Sequence, residues 1–113
     1  MDVAMSRYEV IEPKRDTLYF RVGSHGLISF HGRNYNIKKR MSAEQRNELM
    51  RDADFLRVGS DCYVNLNKIS TIADDYLYFG DQGAGCKRLP VSKRKQQIIR
   101  QLLRERSSRP LPL

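Results

Sequence analysis

The stretch FLRVGSDCYVNL, residues 55–66, carries the strongest structural signal in the chain. Its two flanks, Phe55–Val58 and Tyr63–Leu66, are short runs rich in aromatic and β-branched residues, and the glycine-containing triplet at residues 59–61 separates them. Runs of this length on either side of a turn composition predict two short β-strands joined by a turn.

Six further runs of the same kind lie on both sides of this stretch. Turn compositions at residues 23–24, 32–34, 74–75 and 80–85 separate them, and the last of these is predicted to be a hairpin loop. Many short strands at this spacing indicate a β-sandwich or an open barrel, and not alternating βαβ units. The six runs are Thr17–Val22, Leu27–His31, Tyr35–Lys38, Ile69–Ala73, Tyr76–Phe79 and Cys86–Leu89.

One helix is predicted in the middle of the chain. Ser42 is followed three residues later by Gln45, which is the spacing of a capping box. Leu49, Met50 and Ala53 then form a narrow apolar stripe before the strand that begins at residue 55.

A second helix is predicted to end the fold, with Ser92 as its N-cap after Pro90. Beyond Arg104, residues 105–113 contain serines and prolines without apolar periodicity, so we expect a flexible basic tail. The apolar positions that recur at helical spacing, and that are expected to dock on a sheet, are Val91, Ile98, Ile99, Leu102 and Leu103.

Length and composition restrict the class of protein. The chain has 113 residues, which is the size of one domain, and 40% hydrophobic with 30% charged residues is typical of soluble globular proteins. It contains no apolar run near the roughly 18 residues of a membrane helix, so no membrane insertion is expected. The first ten residues do not have the pattern of a signal peptide, which favours the cytoplasm.

The residues give no sign of an enzyme, a metal site or a cofactor. Cys62 and Cys86 lack the Cys-x-x-Cys spacing and are interpreted as small core residues in a reducing compartment. No Ser/His/acid or Cys/His arrangement is suggested by spacing.

The net charge of +8 is concentrated at one end of the sequence. Residues 87–113 contain nine basic residues against the single acidic Glu105, whereas the other 86 residues carry twelve of each sign. A basic block of this kind is typical of a polyanion-binding surface, because neutralising phosphates releases condensed counterions. A solvated helix face that keeps the protein soluble is the other reading.

Within this block, Lys93, Arg94 and Lys95 fill the first turn of the predicted last helix. Cations are unfavourable there because the helix dipole is positive at that end, so the conflict indicates a functional site for a phosphate or a base edge. Tolerance of an exposed, weakly unfavourable turn is the competing interpretation. Lys87 and Arg88 lie a few residues earlier and would extend the patch along a DNA backbone.

His25 stands in the turn between two predicted strands, where side chains project and functional residues are often found. An imidazole can hydrogen-bond to a base edge or, when protonated, pair with a phosphate. A merely solvated loop histidine is the alternative.

Two motifs resemble those of the LytTR family of bacterial DNA-binding domains. Residues 55–66, followed by Ile69, are similar to that family's pattern of an aromatic, an aliphatic, an arginine, a polar turn and a strand closing on Val-Asn. Leu89–Arg94 is similar to the family's Pro-Val-Ser-Arg-Arg entry to the last helix. The resemblance covers residues 8–104, which leaves residues 1–7 as a flexible N-terminus.

The resemblance implies an elongated, mostly antiparallel β fold with one mid-chain helix and a C-terminal helix. It implies that double-stranded DNA is read through loops that enter successive major grooves. We therefore expect a transcriptional regulator that acts at paired direct repeats, with a homodimer on DNA as one possible arrangement. A regulatory protein partner is also compatible with the resemblance. Family members often follow a receiver domain, and 113 residues are too few to include one, so we expect a free-standing domain. The loop residues carried over are His25 with Gly26, Ser60 with Asp61, and Lys93 with Arg94.

The second of these loops departs from the family pattern. Gly59 and Ser60 replace the usual histidine and Arg or Asn, and Asp61 replaces a serine. A carboxylate would repel phosphate and can accept only from a base amino group such as that of cytosine. The competing hypothesis is a protein-interaction module of the same fold with weak nucleic-acid binding. A small RNA-binding barrel has less support, since no strand carries a clear aromatic row.

Overall fold

A computed structural model of the chain describes residues 13–33, 35–80 and 87–108. The chain divides into two compact units, residues 1–68 and residues 69–113. Each unit contains one antiparallel sheet and one longer helix, which confirms the predicted mostly β fold with a mid-chain and a C-terminal helix.

The first unit contains a five-stranded sheet with the strand order β3-β2-β1-β5-β4. Short 3-10 turns occur at Ser24–Gly26 and Leu66–Lys68. Its elements are α1 (Pro13–Asp16), β1 (Tyr19–Val22), β2 (Leu27–His31), β3 (Asn36–Arg40), α2 (Ala43–Arg51), β4 (Phe55–Arg57) and β5 (Cys62–Asn65).

Strand β1 lies at the centre of this sheet and supplies the middle of its core. Phe20 is fully buried and is paired in register with Phe30 on β2 and Tyr63 on β5. The Phe20 ring stacks on Tyr63 at 4.9 Å between centroids and meets Phe55 edge-on at 5.0 Å. Aromatic pairs in these arrangements contribute about 0.5–1.5 kcal/mol each beyond their burial.

Helix α2 begins as the sequence predicts. The Ser42 hydroxyl accepts the Gln45 N–H at 3.1 Å, and the Gln45 side chain accepts the Ser42 N–H at 3.0 Å, which confirms the capping box. Leu49 is buried in the core of the sheet. Ala53 was expected on the same stripe, but it is exposed and lies beyond the helix, because the Asp52 carboxylate accepts the Asp54 N–H at 2.9 Å and closes a turn there.

The second unit contains a three-stranded sheet in the order β6-β7-β8, formed by β6 (Ile69–Ala73), β7 (Tyr76–Phe79) and β8 (Arg88–Pro90). Helix α3 (Lys93–Ser108) follows it. Ser92 caps this helix by accepting the Lys95 N–H at 3.3 Å, as predicted.

Helix α3 differs from its predicted extent and face in two details. It continues to Ser108, beyond the expected end at Arg104, because extending an existing helix is far easier than nucleating one. Ile99 is fully buried, whereas Ile98, expected on the docked face, is 38% exposed. Successive helical positions point about 100° apart, so both cannot face the same sheet.

In the part of the chain that the structure describes, each of the eight predicted strands corresponds to an observed strand. The strands Leu27–His31, Ile69–Ala73 and Tyr76–Phe79 have the predicted bounds, and the other five have shifted ends. Cys62 is buried, and this burial raises the pKa of its thiol above the ordinary value. Cys86 and most of the predicted loop at residues 80–85 lie outside the described residues. In the described part of the chain, no helix is long and apolar enough to span a membrane, and no cluster of His, Cys, Asp or Glu is arranged to hold a metal.

Asn65, at the end of β5, is a buried polar residue of the first unit. It is fully buried, its amide donates to the Thr17 carbonyl at 2.8 Å, and its side-chain oxygen accepts the Asn67 N–H at 3.1 Å. The hydrogen bond to Thr17 therefore connects the end of the 55–66 stretch with the segment that leads into β1.

Replacing Asn65 with alanine is expected to lower the free energy of unfolding by about 1–3 kcal/mol, because the buried Thr17 carbonyl loses its partner. Denaturant unfolding measures this change. Asn47→Ala on the exposed surface of α2 is the matched control and should change stability by less than about 0.5 kcal/mol. Equal small effects of the two variants would contradict the structural role given to Asn65.

Candidate nucleic-acid interface

Two of the predicted DNA-reading turns lie at the same end of the five-stranded sheet. In the register, Arg21 on β1 is opposite Cys62 on β5, and Val22 is opposite Ile28 on β2. The Val22 N–H donates to the Asp61 carbonyl at 2.8 Å. The turn after β1 and the turn before β5 are therefore neighbours, although they are far apart in sequence.

The first turn has a fixed backbone and an exposed histidine. His25 has φ +57° and Gly26 has φ +80°, both in the left-handed region. A Cβ on Gly26 would lie 2.7 Å from the Arg46 Nη1 and 3.0 Å from the Met41 carbonyl, so only glycine fits. The Gly26 carbonyl accepts the Met41 N–H at 2.9 Å, which anchors the turn to the segment before α2.

A further contact holds this turn from β3. The Arg40 guanidinium donates to the His25 carbonyl at 3.2 Å. The main chain of His25 is thus held from β3 while its side chain is exposed. An imidazole presented in this way can reach a base edge or a phosphate without rearrangement of the turn.

The second turn is held by Arg57, a residue of the 55–66 motif. Its Nε donates to the Gly59 carbonyl at 3.0 Å, and its Nη2 donates to the Ser60 carbonyl at 2.9 Å. The guanidinium presents donors in a planar fork, which suits two carbonyls at once. Arg57 therefore fixes the main chain at Gly59 and Ser60, and both of these residues are exposed.

A cation lies close to the carboxylate of Asp61. Its carboxylate lies 3.7 Å from the Arg21 guanidinium, and both side chains are about half exposed. The charge that would repel a phosphate is therefore partly offset by a cation on β1. Among the described residues, this carboxylate accepts no hydrogen bond from a backbone N–H of its own turn.

In the second unit, the turn between β6 and β7 supports the beginning of α3. The Lys93 ammonium donates to the Asp74 carbonyl at 2.7 Å and lies 3.6 Å from the Asp75 carboxylate. The buried Gln96 amide donates to the same Asp74 carbonyl at 2.8 Å and to the Val91 carbonyl at 3.1 Å. These contacts fix the position of the first helical turn.

The basic residues around this turn fall into two groups. Arg88 stacks its guanidinium over the Tyr76 ring at 4.3 Å, and partial burial lowers the pKa of Lys87. Lys95 is half-buried. Arg94, by contrast, is exposed and has no side-chain partner in the part of the chain that the structure describes.

Sequence reasoning missed three features of these surfaces. The supporting contacts of Arg57 and Gln96 join groups that are adjacent only in the folded chain, so no sequence signal indicates them. The basic triplet Lys38, Lys39 and Arg40 on β3 was visible as three consecutive cations at the end of a predicted strand. The net charge gives no sign of this triplet, because the charge of the first 86 residues sums to zero.

Comparisons with known proteins agree with this arrangement. A family profile described as the LytTr DNA-binding domain matches residues 8–104. A solved structure of the LytTr DNA-binding domain of a protein described as a methyl-accepting/DNA response regulator from Bacillus cereus is similar in fold, with a TM-score of 0.51 and 18% identity. The similarity covers 80% of this chain and 83% of that one. A search of curated proteins found no match.

Most of the chain lies within the family match, and the two antiparallel sheets with their two longer helices agree with the similar structure. The chain belongs to the LytTR family of DNA-binding domains.

Proposed function

We propose that the chain is a sequence-specific DNA-binding transcriptional regulator that reads successive major grooves through its turns. The proposed activity is binding alone, without catalysis or a cofactor. Membership of a DNA-binding family supports binding in general, and the exposed residues on fixed turns support reading by loops. Precisely held groups favour specific contacts because less conformational entropy is lost on binding.

In the first unit, the proposed reading residues are His25 with Gly26 and Ser60 with Asp61. Their support is the shared end of the sheet and the fixed main chain of both turns. A hydroxyl such as that of Ser60 can donate to or accept from several bases, so it gives modest discrimination. His25 is the stronger candidate for a directional contact.

Arg94 is the single residue that carries the proposal most directly. It lies in the first turn of α3, which contains no acidic residue, and its guanidinium is exposed. Arginine contacts guanine bidentately through O6 and N7, the commonest specific contact in the major groove. Lys93 beside it is already bonded to the Asp74 turn, so we assign it mainly to positioning.

Lys87, Arg88 and Lys95 are proposed to contact phosphates. Such contacts set the register of a protein on the duplex and contribute affinity without sequence information. Because one small module buries only about 600–1,000 Å² on DNA, we propose that two copies bind paired direct repeats as a homodimer on DNA. Linked sites of this kind raise the overall affinity without new contacts.

The competing hypothesis of a protein-interaction module rested on Gly59 and Asp61. The Arg21 guanidinium near Asp61 reduces the repulsion that motivated it, so we favour DNA binding. A regulatory protein partner is compatible with DNA binding and forms part of the proposal.

Arg94→Ala is expected to weaken binding to a selected site by about 1–3 kcal/mol and to relax the preference at one base pair, because a bidentate base contact is lost. Duplexes selected from the organism's genomic fragments, compared with random duplex in fluorescence titrations, measure both effects. Arg104→Ala is the matched control, since Arg104 lies ten residues, or about 15 Å, further along α3.

The ratio of the affinity for the selected duplex to the affinity for random duplex distinguishes the possible outcomes for Arg94→Ala. A fall in specific affinity alone supports base reading. Equal losses on both duplexes would show that Arg94 only contacts phosphate, and an effect no larger than that of Arg104→Ala would contradict its role altogether.

Asp61→Ser is expected to tighten binding to random duplex and to steepen its salt dependence, because the Arg21 guanidinium loses its counter-charge and becomes available to a phosphate. Thermal stability should change little, since an exposed ion pair contributes about 0–1 kcal/mol. Salt titrations and a melting curve on the same variant measure both quantities. Unchanged affinity together with lowered stability would remove this turn from the DNA surface.

A further inference from the structure

Strand β3 carries two adjacent cationic residues, Lys38 and Lys39, which we call the β3 track. Both are exposed, and neither has a side-chain partner among the described residues. Glu44 and Glu48 on the following helix are exposed as well, and no ion pair joins them to the track in the described part of the chain. The two positive charges are therefore free to interact with an external anion.

The β3 track lies next to the turn that contains His25, which is one of the proposed DNA-reading turns. Strand β3 is an edge strand, with β2 on one side and no strand on the other among the described elements. Arg40 is opposite Leu27 in the register and its guanidinium bonds the His25 carbonyl. The track thus begins immediately next to the first turn and continues away from it along the sheet.

The spacing of the track suits a nucleic-acid backbone. Lys38 is opposite Ser29 and Lys39 is opposite Ile28, so their side chains leave opposite faces of the edge strand. Long lysine side chains at an open edge can both extend outward to the same side. Adjacent strand residues advance by about 3.4 Å, which is about the axial rise from one phosphate to the next along one DNA strand.

From these observations we propose that the β3 track binds the phosphate backbone of the same DNA duplex that the His25 turn reads. This inference rests on the proposed DNA-binding function and adds a contact surface to it. The track contributes affinity and orientation, and it does not distinguish between sequences. The competing explanation is that lysines on an edge strand prevent edge-to-edge association of sheets.

The test is the double variant Lys38→Gln with Lys39→Gln, which keeps side-chain length and removes two charges. The slope of log affinity against log salt should become less steep by about 1–2, since each phosphate contact contributes about 0.9. Random and selected duplexes should be affected alike. Lys38→Arg with Lys39→Arg should restore the slope of the unmodified chain, because the charges return.

Lys68→Gln is the control for loss of a charge from the same unit. Lys68 follows β5 at the end of the sheet opposite to the reading turns, so its removal should leave the slope unchanged. Size-exclusion chromatography of the double variant tests for association through the exposed edge. A slope equal to that of the unmodified chain overturns the proposal, whether or not the variant associates.

The failure of this inference can be distinguished from failure of the proposed function. If the unmodified chain shows no salt-dependent binding to duplex DNA, both are overturned. If it binds, and Arg94→Ala weakens binding while the double lysine variant keeps its slope, only the β3 track is overturned.

Discussion

The two proposed DNA-reading turns of the first unit depend on the antiparallel pairing of β1 with β5. It joins two segments that are about 40 residues apart in the chain, and it places the turn after β1 next to the turn before β5. The stacked rings of Phe20 and Tyr63 lie in the middle of this pairing. At its other end, the Asn65 N–H donates to the Leu18 carbonyl at 2.9 Å. A shift of one residue in this register would move every side chain to the opposite face of the sheet.

The folded chain separates its cations into those that support structure and those that remain available. Arg57, Arg40 and Lys93 each donate to main-chain carbonyls of turns. In the described part of the chain, the side chains of Arg94 and the β3 track have no such partner. A count of charges along the sequence cannot make this distinction, because it depends on which carbonyls are near each guanidinium or ammonium group. The net excess of +8 in residues 87–113 therefore does not show which cations remain available, and it gives no sign of the exposed lysines on β3.

Much of the fold could be predicted from the sequence because its signals are local. Aromatic and β-branched runs between glycine-containing turns indicated the strands, and the Ser42 and Gln45 spacing indicated the capping box of α2. Two features could not be predicted from these local signals. The exposure of Ile98 depends on which side of α3 faces a sheet. The exposure of Ala53 depends on where a side chain ends α2. The same limit applies to the site. Residue types placed His25 and Arg94 among the candidates, but the contacts that hold their turns are formed only after distant segments have paired.

The most direct test of DNA reading by these turns is a chemical-shift titration of the isotope-labelled chain with a selected duplex. The account predicts the largest amide shifts at residues 25–26, 60–61 and 93–95, with smaller shifts along residues 38–40. Residues 66–68, at the opposite end of the first sheet, should change little. Shifts concentrated at residues 66–68, or an absence of shifts at saturating duplex, would contradict it.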